Sequence, residues 1–131
     1  YIRKKGQFIY GKQNLFNGAF GIIPDEFDGF LSSGDVPSLD VDTTKMNSTF
    51  LFGFFERTEF YKKLEDMASG SGSKRIHEET LFRIEIELPC MEEQFKIAGF
   101  LSSLDEKMKT QKELLQQIEN QKKYLLAYLF I

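Results

Sequence analysis

The sequence is short of several residue types, and each shortage excludes a class of structure. It contains one cysteine, Cys90, and one histidine, His77, in 131 residues. A single cysteine excludes an internal disulfide and a multi-cysteine zinc site, and it suits a reducing compartment such as the cytoplasm. No run of about 18 or more apolar residues occurs, so we predict no membrane segment. No signal peptide is seen at the start, and because the chain opens with Tyr1 rather than Met we expect its natural beginning to be missing.

Signatures of an enzyme are also missing. The segment Gly70–Lys74 lacks the spacing of a phosphate-binding GxxxxGK[ST] loop, and no GxGxxG motif occurs. Any metal cluster or Ser-His-Asp triad would have to use His77, whose neighbours Glu78 and Glu79 favour a surface position. We therefore predict no catalytic residue and no metal site, and no cofactor bound by this chain.

Composition predicts an ordered domain but argues against nucleic acid as a partner. Hydrophobic residues make up 41% of the chain and Phe occurs 14 times, which is enough for an apolar core. The net charge is −3 and the pI is about 5.3, whereas DNA-binding domains are often basic. Residues 1–91 hold 11 basic and 14 acidic side chains, and residues 92–131 hold six of each. Binding depends on the field at one face, so a local basic surface remains compatible with DNA.

The chain changes character near Pro89, and the part before it predicts a small α/β (α+β) domain with a mixed sheet. The predicted elements are two short strands within Tyr1–Tyr10, a strand in Phe20–Ile23, a loop over Gly34–Thr44, a helix over Thr49–Met67 and a strand over Leu81–Leu88. Asn47 or Ser48 is a suitable cap for the helix. The last strand is the clearest, because its apolar and charged residues alternate.

From Glu92 onward the chain predicts one long coiled-coil helix. Apolar residues recur there at alternating steps of four and three, at Ile97, Leu101, Leu104, Met108, Gln111, Leu115, Ile118, Lys122, Leu125 and Leu129, with Gln111 and Lys122 as polar interruptions. A helix of about 38 residues spans roughly 57 Å, too long to fold back on so small a domain. We therefore expect the seam to face another helix; a plain core helix is the alternative.

Several segments resemble the DNA sequence-specificity subunits of type I restriction–modification systems. Ile86–Lys107, with the letters IELPCMEEQFKIAGFLSSLDEK, matches that family's junction of a strand ending in I-x-L-P and a helix opening with E-Q-x-K-I-A-x-x-L-x-x-L-D, apart from Cys90 in place of the usual Pro. Lys4–Tyr10 is similar to the family's K-x-G-D-x-x-Y, and Ala68–Ile76 to its A-x-G-[ST] loop. Asn120–Leu126 resembles the K-K-x-L-L end of its spacer helix.

The resemblance implies a non-catalytic subunit built from two parts. Residues 1–91 would be a partial target-recognition domain, and residues 92–131 a spacer helix that pairs antiparallel with a second copy or with a missing half. The implied partners are double-stranded DNA, methylation subunits that dock on the helices, and a motor subunit for restriction. S-adenosylmethionine and ATP with Mg²⁺ would be bound by those partner subunits.

Candidate DNA contacts lie on two loops. Lys12, Gln13, Asn14 and Asn17 combine amides that can read base edges with a cation. Ser71, Ser73, Lys74 and Arg75 lie on a Gly- and Ser-rich loop flexible enough to follow a phosphate backbone. For each of them a solvated surface position is the open alternative.

Two other classes of function compete with this interpretation. A coiled-coil oligomerisation or scaffold protein with a small α/β head and no DNA role is favoured by the acidic pI. A nuclease or other DNA enzyme acting alone is disfavoured by the lack of a metal-ligand cluster.

Overall fold

The computed structural model describes residues 1–130, which form a compact unit over Tyr1–Ala98 and a second unit from Gly99 onward. The predicted small α/β domain and the long helix are both confirmed. The sheet, however, is antiparallel in all its described pairings rather than mixed. Across the described residues, no helix combines the length and the apolar character that crossing a membrane requires.

The first unit is organised around a three-stranded sheet with β1 in the middle. β1 (Phe8–Tyr10) pairs antiparallel with β2 (Phe20–Ile22) on one side and with β3 (Ser38–Leu39) on the other. Phe8 and Tyr10 point to the same face, as alternate residues of a strand do, and both are buried. The second strand predicted within Tyr1–Tyr10 is wrong: only an isolated bridge from Ile2 to Leu31 forms there. β3 lies inside the predicted loop.

The helix predicted over Thr49–Met67 is present in three pieces. These are α1 (Ser48–Phe55), α2 (Thr58–Lys63) and a 3-10 turn at Leu64–Met67. The predicted cap is confirmed, because the side-chain oxygen of Asn47 accepts a hydrogen bond from the Phe50 amide at 2.9 Å. The break lies at Arg57, whose backbone is extended and whose guanidinium lies 4.1 Å from the centre of the Phe54 ring. The rings of Phe54 and Phe60 pack against each other across this break, with centroids 4.7 Å apart.

Residues 81–88 do not form the predicted strand. Glu78–Phe82 is a short helix, α3, and residues 83–90 belong to no helix or strand. The alternation is still visible in burial, since Ile84 and Ile86 are half-buried while Glu85 and Glu87 are exposed. An alternating pattern specifies which side of a segment faces the core, but it does not supply a hydrogen-bonded neighbour.

Aromatic side chains dominate the core of the first unit. The buried cluster joins the sheet to the helices and consists of Phe8, Tyr10, Leu15, Phe55, Leu64, Ile76 and Leu81. The rings of Phe8 and Phe55 have centroids 4.6 Å apart, so β1 and α1 are in direct ring contact. Leu15 and Ile76 are fully buried, so one anchors the first candidate DNA loop from within and the other anchors the chain directly after the second.

The long helix, α4, runs from Met91 to Leu129 and contains 39 residues. Its first turns pack within the first unit through Gln94, which is 1% exposed, and through Ala98. The Gln94 side chain accepts from the Asn47 amide at 2.8 Å and donates to the carbonyls of Lys45 and Pro89 at 3.0 Å each. In the second unit every residue from Ser102 to Leu129 is exposed. Pairing along the heptad seam stays a prediction, and Ile131 lies outside the described residues.

Candidate nucleic-acid interface

The fold brings the two predicted DNA loops next to each other. The Ile76 amide donates to the Lys12 carbonyl at 2.9 Å, and the Tyr10 hydroxyl donates to the Ile76 carbonyl at 3.1 Å. Because Tyr10 is the last residue of β1 and is buried, the strand fixes where the first loop begins and where the Ser69–Arg75 loop ends. The segment after β1 and the segment before α3 therefore share one region of the surface.

The loop over Ser69–Arg75 is closed by its own backbone. The Ser69 amide donates to the Arg75 carbonyl at 2.9 Å, and the Arg75 amide donates to the Ser69 carbonyl at 2.8 Å. Gly70 has φ +127°, and a Cβ at that position would lie 2.5 Å from the Ser73 carbonyl oxygen, so the turn requires glycine. Ser71, Ser73 and Lys74 are exposed on it.

Each cation of this surface has a carboxylate partner. The three ion pairs are Lys12–Glu78 at 3.1 Å, Lys74–Glu65 at 3.0 Å and Arg75–Asp35 at 3.4 Å. They differ in access to solvent, because the Lys12 side chain is 14% exposed whereas those of Lys74 and Arg75 are 54% and 37% exposed. Lys74 and Arg75 are thus the cations that a ligand can reach, and Lys12 is held in place by Glu78.

The charge of Glu78 is stabilised by its surroundings. Burial alone would raise the pKa of this carboxyl, but hydrogen bonds from its own backbone amide and from Lys12 outweigh burial and lower the pKa. Burial, with a further contribution from the negative charge of Glu78, raises the pKa of the Tyr10 phenol well above its usual range. The phenol therefore stays protonated and keeps donating to the Ile76 carbonyl.

The three candidate amides lie around a 3-10 turn at Leu15–Asn17. The buried Leu15 side chain anchors this turn, and Gly18 ends it with φ +87°. Asn14 and Asn17 are exposed and joined by a hydrogen bond of 3.3 Å from Nδ2 of Asn17 to Oδ1 of Asn14, whereas Gln13 is half-buried. The two asparagines are accessible to a ligand as a linked pair.

The carboxylates of this surface were not found from the sequence. Asp35 lies on the loop before β3, where its carbonyl also accepts from the Lys12 amide at 2.9 Å, and Glu65 lies in the 3-10 turn after α2. Glu78 was noted only as a neighbour of His77, which is exposed as expected. No spacing signal connects these residues to Lys12, Lys74 or Arg75, since the fold alone brings them together. Among residues 1–130, no three His, Cys, Asp or Glu side chains are grouped so as to hold a metal ion.

Comparison with known proteins gives consistent matches. A family model described as the type I restriction modification DNA specificity domain matches residues 1–120. The type I restriction enzyme MjaVIII specificity subunit of Methanocaldococcus jannaschii is 32% identical over 131 residues, covering 98% of this chain and 31% of that protein. The type I restriction enzyme HindI specificity subunit of Haemophilus influenzae is 24% identical over 119 residues, covering 88% of this chain and 26% of that protein.

A solved structure shares the fold. The crystal structure of the HsdS subunit from Thermoanaerobacter tengcongensis aligns with a TM-score of 0.69 and 18% identity, over 86% of this chain and 29% of that one. At that identity the likeness concerns the fold alone. The chain spans 26% and 31% of the lengths of the two curated relatives.

Proposed function

The chain belongs to the family of type I restriction–modification DNA specificity domains, and from that membership we propose that it recognises one part of a bipartite DNA target. It does so as a specificity subunit or half-subunit without catalysis of its own. The name of the family supports a role in DNA specificity, and the paired surface of the Lys12–Asn17 and Ser69–Arg75 loops supplies the groups that such a role needs.

The observation that carries this proposal is the reachable pair of cations on a closed loop. The carboxylate partner of Lys74 is 51% exposed and that of Arg75 is 58% exposed. Such exposed ion pairs are worth little, about 0–1 kcal/mol, so a DNA phosphate can take the place of Glu65 beside Lys74 at small cost. At Arg75, whose Nε atom is buried beside Asp35, a phosphate would contact the exposed part of the guanidinium. The loop thus positions the duplex, while Asn14 and Asn17 offer amides to base edges.

The partners follow from the same proposal. Methylation subunits that use S-adenosylmethionine dock on the long helix, and a motor subunit that uses ATP and Mg²⁺ supplies restriction, all in the cytoplasm. The helix pairs antiparallel with a second copy or with an equivalent helix through the seam that begins at Ile97. Exposed apolar seam residues such as Met108 and Ile118 support this pairing, being 56% and 54% exposed in the chain alone.

A DNA titration tests the loop assignment. In the assembled methyltransferase complex, the double variant Lys74→Ala, Arg75→Ala is expected to bind all duplex sequences more weakly. The slope of log affinity against log salt should flatten by one to two units, at ~0.9 per lost phosphate contact. The matched control is Lys62→Ala, Lys63→Ala, which removes the same charge from the exposed end of α2. Unchanged affinity and slope in the loop variant, or an equal effect in the control, would refute the assignment.

A further inference from the structure

An apolar groove in the first unit is unrelated to the candidate DNA surface. Its volume is about 310 Å³, at the lower end of the range that ligands occupy. Leu39 and Val41, at and after the end of β3, line it together with Ile84, Ile86 and Leu88. Phe55 of the aromatic core also lines it.

Two of the segments that line the groove have backbone groups that the fold does not use. β3 is an edge strand, since it pairs with β1 alone in the described sheet. In residues 85–88 no backbone amide or carbonyl makes a hydrogen bond to the described part of the chain. Free backbone groups along a segment that contacts an apolar surface are what a peptide strand pairs with when it adds to a sheet.

The side chains of 84–88 indicate which strand would fit. Ile84, Ile86 and Leu88 line one groove, which is the arrangement of an extended chain, and Glu85 and Glu87 between them are exposed. A strand lying alongside would alternate in the same way. Its apolar residues would enter the groove, and its other residues would lie beside Glu85 and Glu87, where opposite charge is favoured.

We propose that this groove binds an extended strand of alternating apolar and basic residues from a partner protein. The strand adds to residues 84–88 through backbone hydrogen bonds, buries its apolar side chains in the groove that Val41 and Ile86 line, and pairs its basic side chains with Glu85 and Glu87. The groove shares no residue with the Lys12–Asn17 or Ser69–Arg75 loops, so the strand and DNA would contact different residues.

The probe is a blocked, fluorescein-labelled hexapeptide of sequence KVRVKV, titrated into the full chain with anisotropy as the readout. Saturable binding is expected. Alternate backbone amides of a strand point to opposite edges. Two further peptides therefore carry N-methyl groups, one on the three valines and the other on the three basic residues, and each has lost the hydrogen-bond donors of one edge. At least one should bind about tenfold or more weakly than the parent. No saturable binding of the parent, or equal binding of all three peptides, would overturn the proposal.

Variants of the chain give an independent arm. Ile86→Glu places a charge in the groove and should weaken binding about tenfold or more, whereas the control Leu31→Glu, at a residue that is 75% exposed and does not line the groove, should leave it unchanged. Should Ile86→Glu fail to fold, the double reversal Glu85→Lys, Glu87→Lys at exposed positions decides. This variant should bind EVEVEV more tightly than KVRVKV. If it still binds KVRVKV more tightly, the proposal is overturned.

Discussion

Removing the side chain of Gln94 should destabilise the first unit far more than its position near the start of a surface helix would suggest. Gln94→Ala deletes three hydrogen bonds and leaves the Asn47 amide and the carbonyls of Lys45 and Pro89 without their partner. At about 1 kcal/mol net for each bond, the expected loss in the free energy of unfolding is about 3 kcal/mol. That is a large fraction of the ~5–15 kcal/mol typical of a whole domain.

Urea unfolding, followed in parallel by far-ultraviolet circular dichroism and tyrosine fluorescence, measures this loss. The matched control is Gln116→Ala, since Gln116 is an exposed glutamine of the same helix that donates only to Asn120, at 3.1 Å. The control should stay within ~0.5 kcal/mol of the parent. Gln94→Glu tests the two donated hydrogen bonds separately from the accepted one. A carboxylate still accepts from the Asn47 amide but cannot donate to the two carbonyls, so this variant should lower the free energy of unfolding at neutral pH. If the free energy of unfolding of Gln94→Ala lies within ~0.5 kcal/mol of the parent value, Gln94 does not hold the start of the helix in place.

Two further predictions concern the long helix and the ion pair at Lys12. Inserting one heptad after Ile118 keeps the seam in phase and lengthens the helix by ~10.5 Å. In an assembled complex, the spacing between the two methylated half-sites should then grow by about three base pairs, at ~3.4 Å each. Methylation at the original spacing would show that the helix does not set this distance. Because the pKa of Glu78 is lowered in the folded chain, its stabilising contribution is present above its unfolded pKa and is lost as pH falls through the folded value. Glu78→Gln should therefore reduce the drop in melting temperature on acidification, and a parallel pH profile would contradict the role of the pair.

The elements that sequence patterns predicted correctly are those decided by local chemistry. The Asn47 cap needs only a side-chain oxygen three residues before an amide, and α4 needs only a helical period sustained over many turns. The interruption at Arg57 was missed because it depends on ring contacts among Phe54, Phe55 and Phe60, whose centroids lie 4.7 to 5.2 Å apart for the two pairs with Phe60. The three residues lie within one short window, but the helical period of their apolar positions does not report how their rings pack.

The candidate site was only half predictable for a similar reason. Residue type singled out Lys12, Lys74 and Arg75 as cations on loops, but not their neutralisation by Glu78, Glu65 and Asp35, since those pairs form only when distant segments meet. The strand predicted over Leu81–Leu88 is wrong for a different reason. Its pattern is genuine, yet a strand also requires a neighbour, and no local rule reports whether one is present.

The pairing of each surface cation has a consequence for the kinetics of encounter with a polyanion. Opposite charges 3.0 to 3.4 Å apart form dipoles, whose potential falls off faster with distance than that of a lone cation. At physiological salt it is further screened within ~8 Å. Such a surface exerts little long-range attraction, so under the proposed function collisions with DNA would not be accelerated by steering, as they are on an openly basic face. The lifetime of the proposed complex would then depend on how readily phosphates replace the carboxylates after contact, and so on the local sequence and shape of the duplex.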